Sequence, residues 1–410
     1  MQPFQSFADL WAFLEQRGLF HIDLALTRMQ RALERLDLAP IPLLVQVLGT
    51  NGKGSTAAFL SSLCHAHGLR VGLYTSPHFV SPRERIRGFP HDFSEQDWLA
   101  CANRVLGVDE GLTYFEFMTL LALVLFEQSR MQVAVLEAGL GGAHDATTAC
   151  QRRILCYTPI ALDHRAVLGD SLAAIASDKA EAMAAGQRVF SAVQYPEARR
   201  ILAVNAKDKG LELHFVEPGE CGQARLGLMG FHQKQNAALA LAGFHALCAE
   251  LGIRESQEKI REGLASAFLP GRLQRLAASP HYPALILDGA HNPHGLQTML
   301  QSLKQAGIRP RGLVFACLGD KDWKSLVRIL KQHFPKLAVH FPRLHNTRAL
   351  DCETLADFWQ AENPSLIGFS LASTLKQLAC EGDEPYLVTG SLYLLGEFFT
   401  AYPTTLGLGS

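Results

Sequence analysis

The stretch from Leu43 to Ser55, LLVQVLGTNGKGS, decides how the rest of the chain can be arranged. Its first six residues are mostly apolar, as expected for a strand buried on both faces of a parallel sheet. They run directly into a loop with three glycines and a lysine, and the following segment TAAFLSSLCHAHG is helix-like. A strand, a glycine-rich loop and a helix in this order predict a site that binds phosphate groups.

The residues of this loop suit that role for different reasons. Glycines let the backbone turn tightly and direct its N–H groups at an anion, the lysine adds a positive charge, and the dipole of the following helix points the same way. Ser55 is placed to contact phosphate or its magnesium ion. The widespread nucleotide-loop pattern has four residues between its first glycine and the Gly-Lys pair, whereas this loop has two. The predicted phosphate-binding residues are Gly49, Thr50, Asn51, Gly52, Lys53, Gly54 and Ser55.

Length and charge narrow the class of protein. A chain of 410 residues exceeds what one hydrophobic core comfortably fills, so two domains are expected. Lys plus Arg number 38 and Asp plus Glu 39, without a basic run, which gives no indication of nucleic acid or an anionic membrane as partner. The first eighteen residues fit neither a signal peptide nor a membrane span, and a cytoplasmic location is expected. The nine cysteines show no CxxC spacing, which favours reduced core thiols over disulfides or a zinc site.

Strand-like and helix-like segments alternate along the chain, and three polar residues close three of the predicted strands. Ser76 ends LRVGLYTS, Glu137 lies at the end of the strand in QVAVLEAGLGG, and His164 ends RILCYTPIALDH. If these strands neighbour the phosphate loop, a hydroxyl, a carboxylate and an imidazole would suit a magnesium ion held partly by a nucleotide. Taken singly, Glu137 also fits a hydrogen-bonded strand-end carboxylate, and His164 also fits a structural histidine.

The sequence pattern alone does not decide the role of two further groups of residues. Arg83, Arg85 and Arg87 lie in one loop and fit either a solvated positive patch or a site for an acidic substrate. Lys179 lies on the predicted helix SLAAIASDKAEAMAAG, where a lysine is usually a solvated surface residue.

The segment QRLAASPHYP, residues 274–283, is the expected linker between domains. The fold class is therefore α/β, with an N-terminal nucleotide-loop ATPase domain (1–275) built on a central, mainly parallel sheet. A smaller Rossmann-like α/β domain (280–410) is expected to follow. If ATP lies between the domains, the smaller one is expected to close over it with RLAASP as the hinge.

Nine motifs in order resemble the folylpolyglutamate synthase/dihydrofolate synthase family of the Mur ligase superfamily. The resemblance covers nearly the whole chain, and the ordered set is far more specific than any one motif. The motifs are GTNGKGS (49–55), YTSPH (74–78), ERIRG (84–88), LTYFEF (112–117), LEAGLGG (136–142), ALDH (161–164), LPGR (269–272), LDGAHNPHG (287–295) and TGSLY (389–393).

The resemblance implies that ATP phosphorylates a carboxylate and that the amine of glutamate then displaces the phosphate. It implies that the 49–55 loop binds ATP together with Asn236, Arg272 and Asp288, and that Ser76, Glu137 and His164 hold magnesium. Lys179 falls where relatives carry a carbamylated lysine, able to hold a second ion, and His291 falls near the phosphates or the acyl phosphate. A monovalent cation is a further cofactor that the resemblance allows.

The resemblance also places the pterin-bearing acceptor, with the ring of Phe115 stacking on the flat pterin. Two departures concern this part of the chain: many relatives read GGRLDATN where this chain has GGAHDATT, so Ala143 and Thr148 replace an arginine and an asparagine. An acceptor carboxylate is then expected to be held differently. A third departure puts Glu181 near the proposed carbamate. The implied acceptor residues are Ile22, Asp23, Leu24, Thr113, Tyr114, Phe115, Glu116, His144, Asp145 and Ala146.

The resulting expectation is a monomeric ATP-dependent amide ligase that adds L-glutamate to dihydropteroate and to reduced folates. A folylpolyglutamate synthase without the first activity is the main alternative. A Mur-type ligase of cell-wall precursors usually carries a further N-terminal domain, for which the residues ahead of Leu43 are too few. A non-catalytic nucleotide switch would predict a degraded metal set. The full set is present in this chain: Lys53, Ser76, Glu137, His164 and Asp288.

Overall fold

The computed structural model describes residues 2–18, 25–360, 366–379 and 384–407, and the chain divides into two compact units. The first unit comprises Met1–Pro77, Arg85–Gly227 and Lys234–Ala267, and the second comprises His78–Glu84, Leu228–Gln233 and Phe268–Ser410. The second unit thus begins ahead of residues 274–283, where the sequence suggested a linker. The difference arises because part of that segment is a strand of the second unit's sheet.

A seven-stranded sheet forms the centre of the first unit. Its strands are β1 (Leu43–Leu48), β2 (Val71–Tyr74), β3 (Ile86–Phe89), β4 (Val133–Glu137), β5 (Ile154–Tyr157), β6 (Arg188–Ala192) and β7 (Leu213–Val216), in the spatial order β3-β2-β4-β1-β5-β6-β7. All neighbours are parallel except β2 and β3. Because β1 lies between β4 and β5, its carboxyl end, where the phosphate loop begins, is central in the sheet.

Ten helices of the first unit accompany this sheet in the described part of the chain. They are α1 (Phe7–Gln16), α2 (Thr27–Leu36), α3 (Lys53–Ala66), α4 (Glu95–Leu106), α5 (Tyr114–Gln128), α6 (Arg165–Leu168), α7 (Leu172–Glu181), α8 (Pro196–Asp208), α9 (Gln233–Leu251) and α10 (Gln257–Ser266). Helix α5 is buried almost all round, as its continuous apolar sequence predicts. Ser94 and Asp97 form a capping box at the start of α4.

Two local predictions in this unit were wrong. Arg83, Arg85 and Arg87 were expected to lie in one loop, but Ile86–Phe89 pair with β2 as an antiparallel edge strand. Asp163 and His164 were expected to close a strand, but β5 ends at Tyr157 and an irregular connection leads from there to His164. His164 instead has a left-handed backbone (φ 51°) immediately before α6.

The second unit contains a six-stranded sheet of its own. The strands are β8 (Gln274–Leu276), β9 (Leu285–Leu287), β10 (Gly312–Phe315), β11 (Ala338–Arg343), β12 (Ile367–Ser370) and β13 (Tyr386–Thr389), in the order β12-β11-β10-β13-β9-β8. Only β8 is antiparallel to its neighbour. The helices are α11 (Pro293–Gln305), α12 (Trp323–His333), α13 (Cys352–Trp359), α14 (Leu371–Leu378) and α15 (Leu392–Ala401). The alternation of parallel strands and helices confirms the predicted Rossmann-like architecture.

Each unit buries its own apolar cores on the faces of its sheet. Eight of the cysteines lie in the described segments, and all eight are buried free thiols, as predicted. In these same segments, no helix combines the length and apolar character needed to cross a bilayer.

Candidate active site

The phosphate loop leaves the carboxyl end of β1 through two glycines that no other residue could replace without strain. Gly49 has φ +135°, and a Cβ atom there would lie 2.0 Å from the hydroxyl oxygen of Thr158. Gly52 has φ +93°, and its Cβ would lie 2.5 Å from the side-chain oxygen of Asn236. Both positive φ angles favour glycine. The same contact places Asn236, predicted to bind ATP, directly beside the loop.

Hydrogen bonds to the segment after β5 hold the loop in place. The N–H groups of Thr50 and Asn51 donate to the carbonyl of Pro159 at 3.0 and 3.3 Å. The hydroxyl of Thr50 donates to the carbonyl of Ala161 and accepts from its N–H, both at 3.0 Å. The loop is therefore anchored before any ligand binds, which reduces the loss of conformational entropy on binding.

A small cleft opens beside this loop. It brings together the phosphate loop, the glycine-rich segment after β4, the segment before α6, and one lysine of α7. The lining residues are Gly49, Thr50, Lys53, Gly139, Leu140, Gly141, Asp163, His164, Leu168 and Lys179. The structure thus gathers Lys53, His164 and Lys179, which are distant in sequence, around one cavity.

Lys179 is not the solvated surface residue that its helical position suggested, because it is only 4% exposed. Its amine donates to the carbonyl of Gly141 at 3.2 Å, and its own carbonyl accepts from the hydroxyl of Tyr157 at 2.9 Å. Burial, and to a smaller extent the nearby ammonium of Lys53, lowers the pKa of Lys179 to about 7. Near neutral pH a large fraction of this amine is therefore uncharged and nucleophilic.

The predicted magnesium ligands lie at or after the carboxyl ends of strands on both sides of β1. Ser76 follows β2 and Glu137 ends β4, and the N–H of Ser76 donates to a carboxylate oxygen of Glu137 at 3.0 Å. His164 follows β5 on the other side and lines the cleft. Adjacent strands thus bring Ser76 and Glu137 together, whereas His164 reaches the cleft through a longer connection.

The residues at the start of α5, predicted to bind the acceptor, form a buried polar cap. The carboxylate of Glu116 accepts from the N–H of Thr113 at 2.7 Å and from the guanidinium of Arg28 at 3.2 Å. Tyr114 is buried, and the guanidinium of Arg85 lies 5.1 Å from the centre of its ring. Arg85 is itself buried, so it does not belong to a solvated positive patch.

Phe115 lies over the glycine-rich segment after β4. A Cβ atom at Gly139 would approach the Phe115 ring to 2.6 Å, and the ring of Tyr74 lies 5.5 Å away, centre to centre. Phe115 is half-buried, which leaves part of the ring accessible. The aromatic residue expected to stack on a pterin therefore packs against the same segment that lines the cleft.

The second predicted acceptor segment, residues 144–146, is held in place by the buried side chain of its central residue, Asp145. Asp145 is buried, and its carboxylate accepts from the N–H groups of Gly139 and Leu140 at 2.8 and 2.9 Å. Burial raises the pKa of Asp145, while these hydrogen bonds lower it. Its side chain thus organises the neighbouring segment, with His144 exposed and Ala146 buried on either side. The third predicted acceptor segment, Ile22 to Leu24, lies outside the described residues.

The second unit contains a separate cluster of predicted ATP residues after β9. The carboxylate of Asp288 accepts from the N–H groups of Leu273 and Ala290, each at 3.0 Å. Burial raises the pKa of Asp288, while the nearby guanidinium of Arg272 lowers it. His291 contacts the carbonyl of Gly289 through Nδ1 at 2.9 Å. Arg272, Asp288 and His291 therefore lie together at the carboxyl end of β9, where parallel α/β sheets bind ligands.

Sequence reasoning missed a buried polar pair that supports this site. Gln46 lies in the middle of β1, fully buried, and its side-chain oxygen accepts from the guanidinium of Arg152 at 2.6 Å. A glutamine within the apolar strand LLVQVL was the available signal, because a buried amide needs partners.

Comparison with known proteins shows the family to which the chain belongs. The family model described as the glutamate ligase domain of Mur ligases matches residues 271–390. The dihydrofolate synthase/folylpolyglutamate synthase of Bacillus subtilis (strain 168) is 30% identical over 431 residues, covering 96% of this chain and 98% of the relative. The chain belongs to the dihydrofolate synthase/folylpolyglutamate synthase family. The Escherichia coli (strain K12) member is 35% identical over 353 residues, 80% of each chain.

Solved structures of family members share the fold over the whole chain. Escherichia coli FolC in complex with DHPP and ADP superimposes with a TM-score of 0.87 at 30% identity, covering 98% of this chain and 99% of that one. The Yersinia pestis bifunctional enzyme complexed with AMPPNP and Mn ion gives 0.84 at 31% identity, with the same coverage of both chains. The two-unit architecture described above is therefore the fold of the dihydrofolate synthase/folylpolyglutamate synthase family.

Proposed function

We propose that this protein is an ATP-dependent ligase that adds L-glutamate to dihydropteroate, forming dihydrofolate, and to reduced folates, extending their glutamate tail. The observation that carries the proposal is the cleft where the phosphate loop, with its Lys53, lies beside Lys179. The pKa of Lys179 is lowered by its burial. Relatives named for both activities cover nearly the whole chain, which supports the same conclusion.

The donor atoms at the strand ends fit a magnesium ion. The Ser76 hydroxyl and the Glu137 carboxylate are hard oxygen ligands, and Glu137 is buried at a strand end beside the phosphate loop. The described residues contain no cluster of three acidic, histidine or cysteine side chains suited to a metal, which fits an ion that depends on nucleotide oxygens for further ligands. Ser76, Glu137 and His164 would hold the ion, which neutralises charge on the transferring phosphoryl group. Activation by a monovalent cation stays a prediction.

Lys179 has the properties that carbamylation requires. Carbon dioxide adds to an uncharged amine: an N–C bond forms, the amine proton leaves to solvent, and a carbamate anion results. Burial supplies the uncharged amine at Lys179 near neutral pH. The resulting anion would lie beside Lys53 in the cleft, where it attracts the ammonium group of that lysine.

The reaction then needs charge neutralisation and alignment more than covalent chemistry from the protein. The acceptor carboxylate attacks the terminal phosphate of ATP, ADP leaves, and an acyl phosphate forms. The amine of glutamate attacks the acyl carbon and loses a proton to solvent, the amide forms, and phosphate leaves with the C–O electron pair. Lys53 would exchange its present partners, the carbonyls of Gly49 and Thr50 at 3.3 and 3.2 Å, for phosphate oxygens.

The test is phosphate release from ATP with magnesium and L-glutamate, run in parallel with dihydropteroate, tetrahydrofolate and no acceptor. Turnover with both acceptors is the expected result. Turnover with tetrahydrofolate alone would establish a folylpolyglutamate synthase only, the name carried by a Lacticaseibacillus casei relative that is 30% identical over 391 residues. Absence of turnover with both, in protein shown to bind ATP, would overturn the proposal.

A further inference from the structure

A directional chain of hydrogen bonds runs from the phosphate-loop strand to the predicted acceptor segment. A guanidinium can only donate, so Arg152 donates to the oxygen of the Gln46 amide and thereby fixes its orientation. The nitrogen of Gln46 then donates to the hydroxyls of Thr147 and Thr148 at 2.7 and 2.8 Å. Each threonine hydroxyl, having accepted from Gln46, keeps its own hydrogen to donate elsewhere.

The two threonines use those hydrogens on different groups. Thr147 donates to the carboxylate of Asp145 at 2.5 Å, the same carboxylate that holds the N–H groups after β4. Thr148 donates to the carbonyl of Gly142 at 2.7 Å. That carbonyl also accepts the N–H of Asp145, but at a longer 3.3 Å. The hydrogen bond from the Thr148 hydroxyl is therefore the shorter of the two hydrogen bonds that the carbonyl of Gly142 accepts from the segment after it.

The loop closed by this bond, residues 142–148, is fixed against α7 as well. The N–H of Ala143 donates to the carbonyl of Asp178 at 3.1 Å, and a Cβ atom at Gly142 would lie 2.5 Å from the Cα of Lys179. The loop cannot shift toward α7, and on its other side Thr148 and Gln46 hold it to β1. Residues 144–146 occupy the middle of this closed loop.

We propose that Thr148 is a positioning residue for the acceptor, because its hydroxyl, oriented by Gln46, closes residues 142–148 and sets where residues 144–146 stand. The inference rests on the proposed function for its substrate but on the contacts above for its geometry. Removing the hydroxyl leaves a buried carbonyl with one long hydrogen bond, and a loss of this kind shifts an equilibrium by roughly five- to tenfold.

The test compares Thr148→Val, which keeps the shape and removes the hydroxyl, with Thr148→Ser, which keeps the hydroxyl. Thr374→Val is a matched control, since Thr374 lies on α14, is fully buried, and has a hydroxyl with no hydrogen-bond partner among the described residues. We expect Thr148→Val to raise the KM for the pterin acceptor about five- to tenfold while the KM for ATP changes less than about twofold. Thr148→Ser should restore the acceptor KM, and Thr374→Val should leave both constants unchanged.

Hydrogen–deuterium exchange of the free protein supplies a second measurement that needs no substrate. In Thr148→Val the amides of residues 139–143 should exchange about five- to tenfold faster, with no change in Thr148→Ser. An unchanged acceptor KM, an equal rise in both KM values, or unchanged exchange in these amides would overturn the positioning role. Wild-type protein without turnover on any pterin acceptor would instead overturn the proposed function, while the exchange comparison would still decide the role of Thr148.

Discussion

Replacing Lys179 by methionine should stabilise the protein at low pH, and the gain should shrink as pH rises. The variant removes the amine but keeps an unbranched side chain of similar length. In the folded protein the pKa of Lys179 is lowered to about 7 from the ordinary value of 10.5. Between these values the unfolded chain binds more protons than the folded one, so the free energy of unfolding of the wild type rises with pH.

The magnitude follows from the size of the pKa shift. Below pH 7 the folded wild type carries a buried ammonium, and the full cost of that charge is present. Each pH unit above 7 recovers about 1.4 kcal/mol, so the free energy of unfolding should gain roughly 2–3 kcal/mol between pH 6 and pH 9. Lys179→Met has no such amine, and its advantage over the wild type should narrow by the same amount.

Urea unfolding at pH 6, 7.5 and 9, in buffers freed of carbon dioxide, measures this difference. Lys207→Met, at an exposed position of α8, is the control and should keep a constant difference from the wild type. Adding bicarbonate at pH 8 to 9 should stabilise the wild type and leave Lys179→Met unaffected. A difference between wild type and Lys179→Met that does not change with pH would refute the reasoning, since the amine would then not be held uncharged by burial.

Two further substitutions test the phosphate loop and the metal ligands. Gly52→Ala should raise the KM for ATP more than about tenfold, because the new Cβ would collide with Asn236 and because a positive φ costs a residue with a side chain about 1–2 kcal/mol. Gly68→Ala is the control, since Gly68 has φ +82° and no atom lies within 4 Å of its Cβ. This variant carries the backbone cost alone and should leave the KM unchanged. Glu137→Gln keeps an acceptor for the N–H of Ser76 but removes the negative charge, so kcat should fall at least about a hundredfold and the magnesium concentration for half-maximal rate should rise, with the thermal midpoint within a few degrees of wild type. Unaltered ATP binding in the first variant, or an unaltered magnesium requirement in the second, would contradict these assignments.

The parts of the fold that the sequence predicted are those written in local pattern. Strand β1, its glycine loop and the buried helix α5 follow from apolar runs, glycines and capping residues that lie close together in the chain. Strand β3 was not predicted because its four residues lie among prolines and arginines and form a strand only by pairing with β2. Strand β8 within residues 274–283 was not predicted for the same reason, since it is a short strand defined by its partner β9.

The candidate site shows the same division between local and distant causes. Lys53, Ser76 and Glu137 could be placed because each follows a recognisable strand. The burial of Lys179 could not, because it depends on Gly141 and Tyr157, which reach it from other parts of the first unit. The hydrogen bonds of the Asp145 carboxylate could not be predicted either, because they join it to backbone N–H groups, whose positions the sequence does not reveal.

The way the chain contributes to the second unit limits how this protein can be divided. Residues 78–84 and 228–233 belong to that unit although the chain on either side of each belongs to the first. The ring of Phe79 lies 4.9 Å from that of Phe399, and Met229 packs against the second unit's core. A fragment starting at residue 268 would lack both segments and expose the apolar surfaces they cover. Gene fusions, split reporters and domain exchanges with other ligases should therefore keep these two short segments with the carboxyl-terminal part, since a single cut in the chain cannot separate the units.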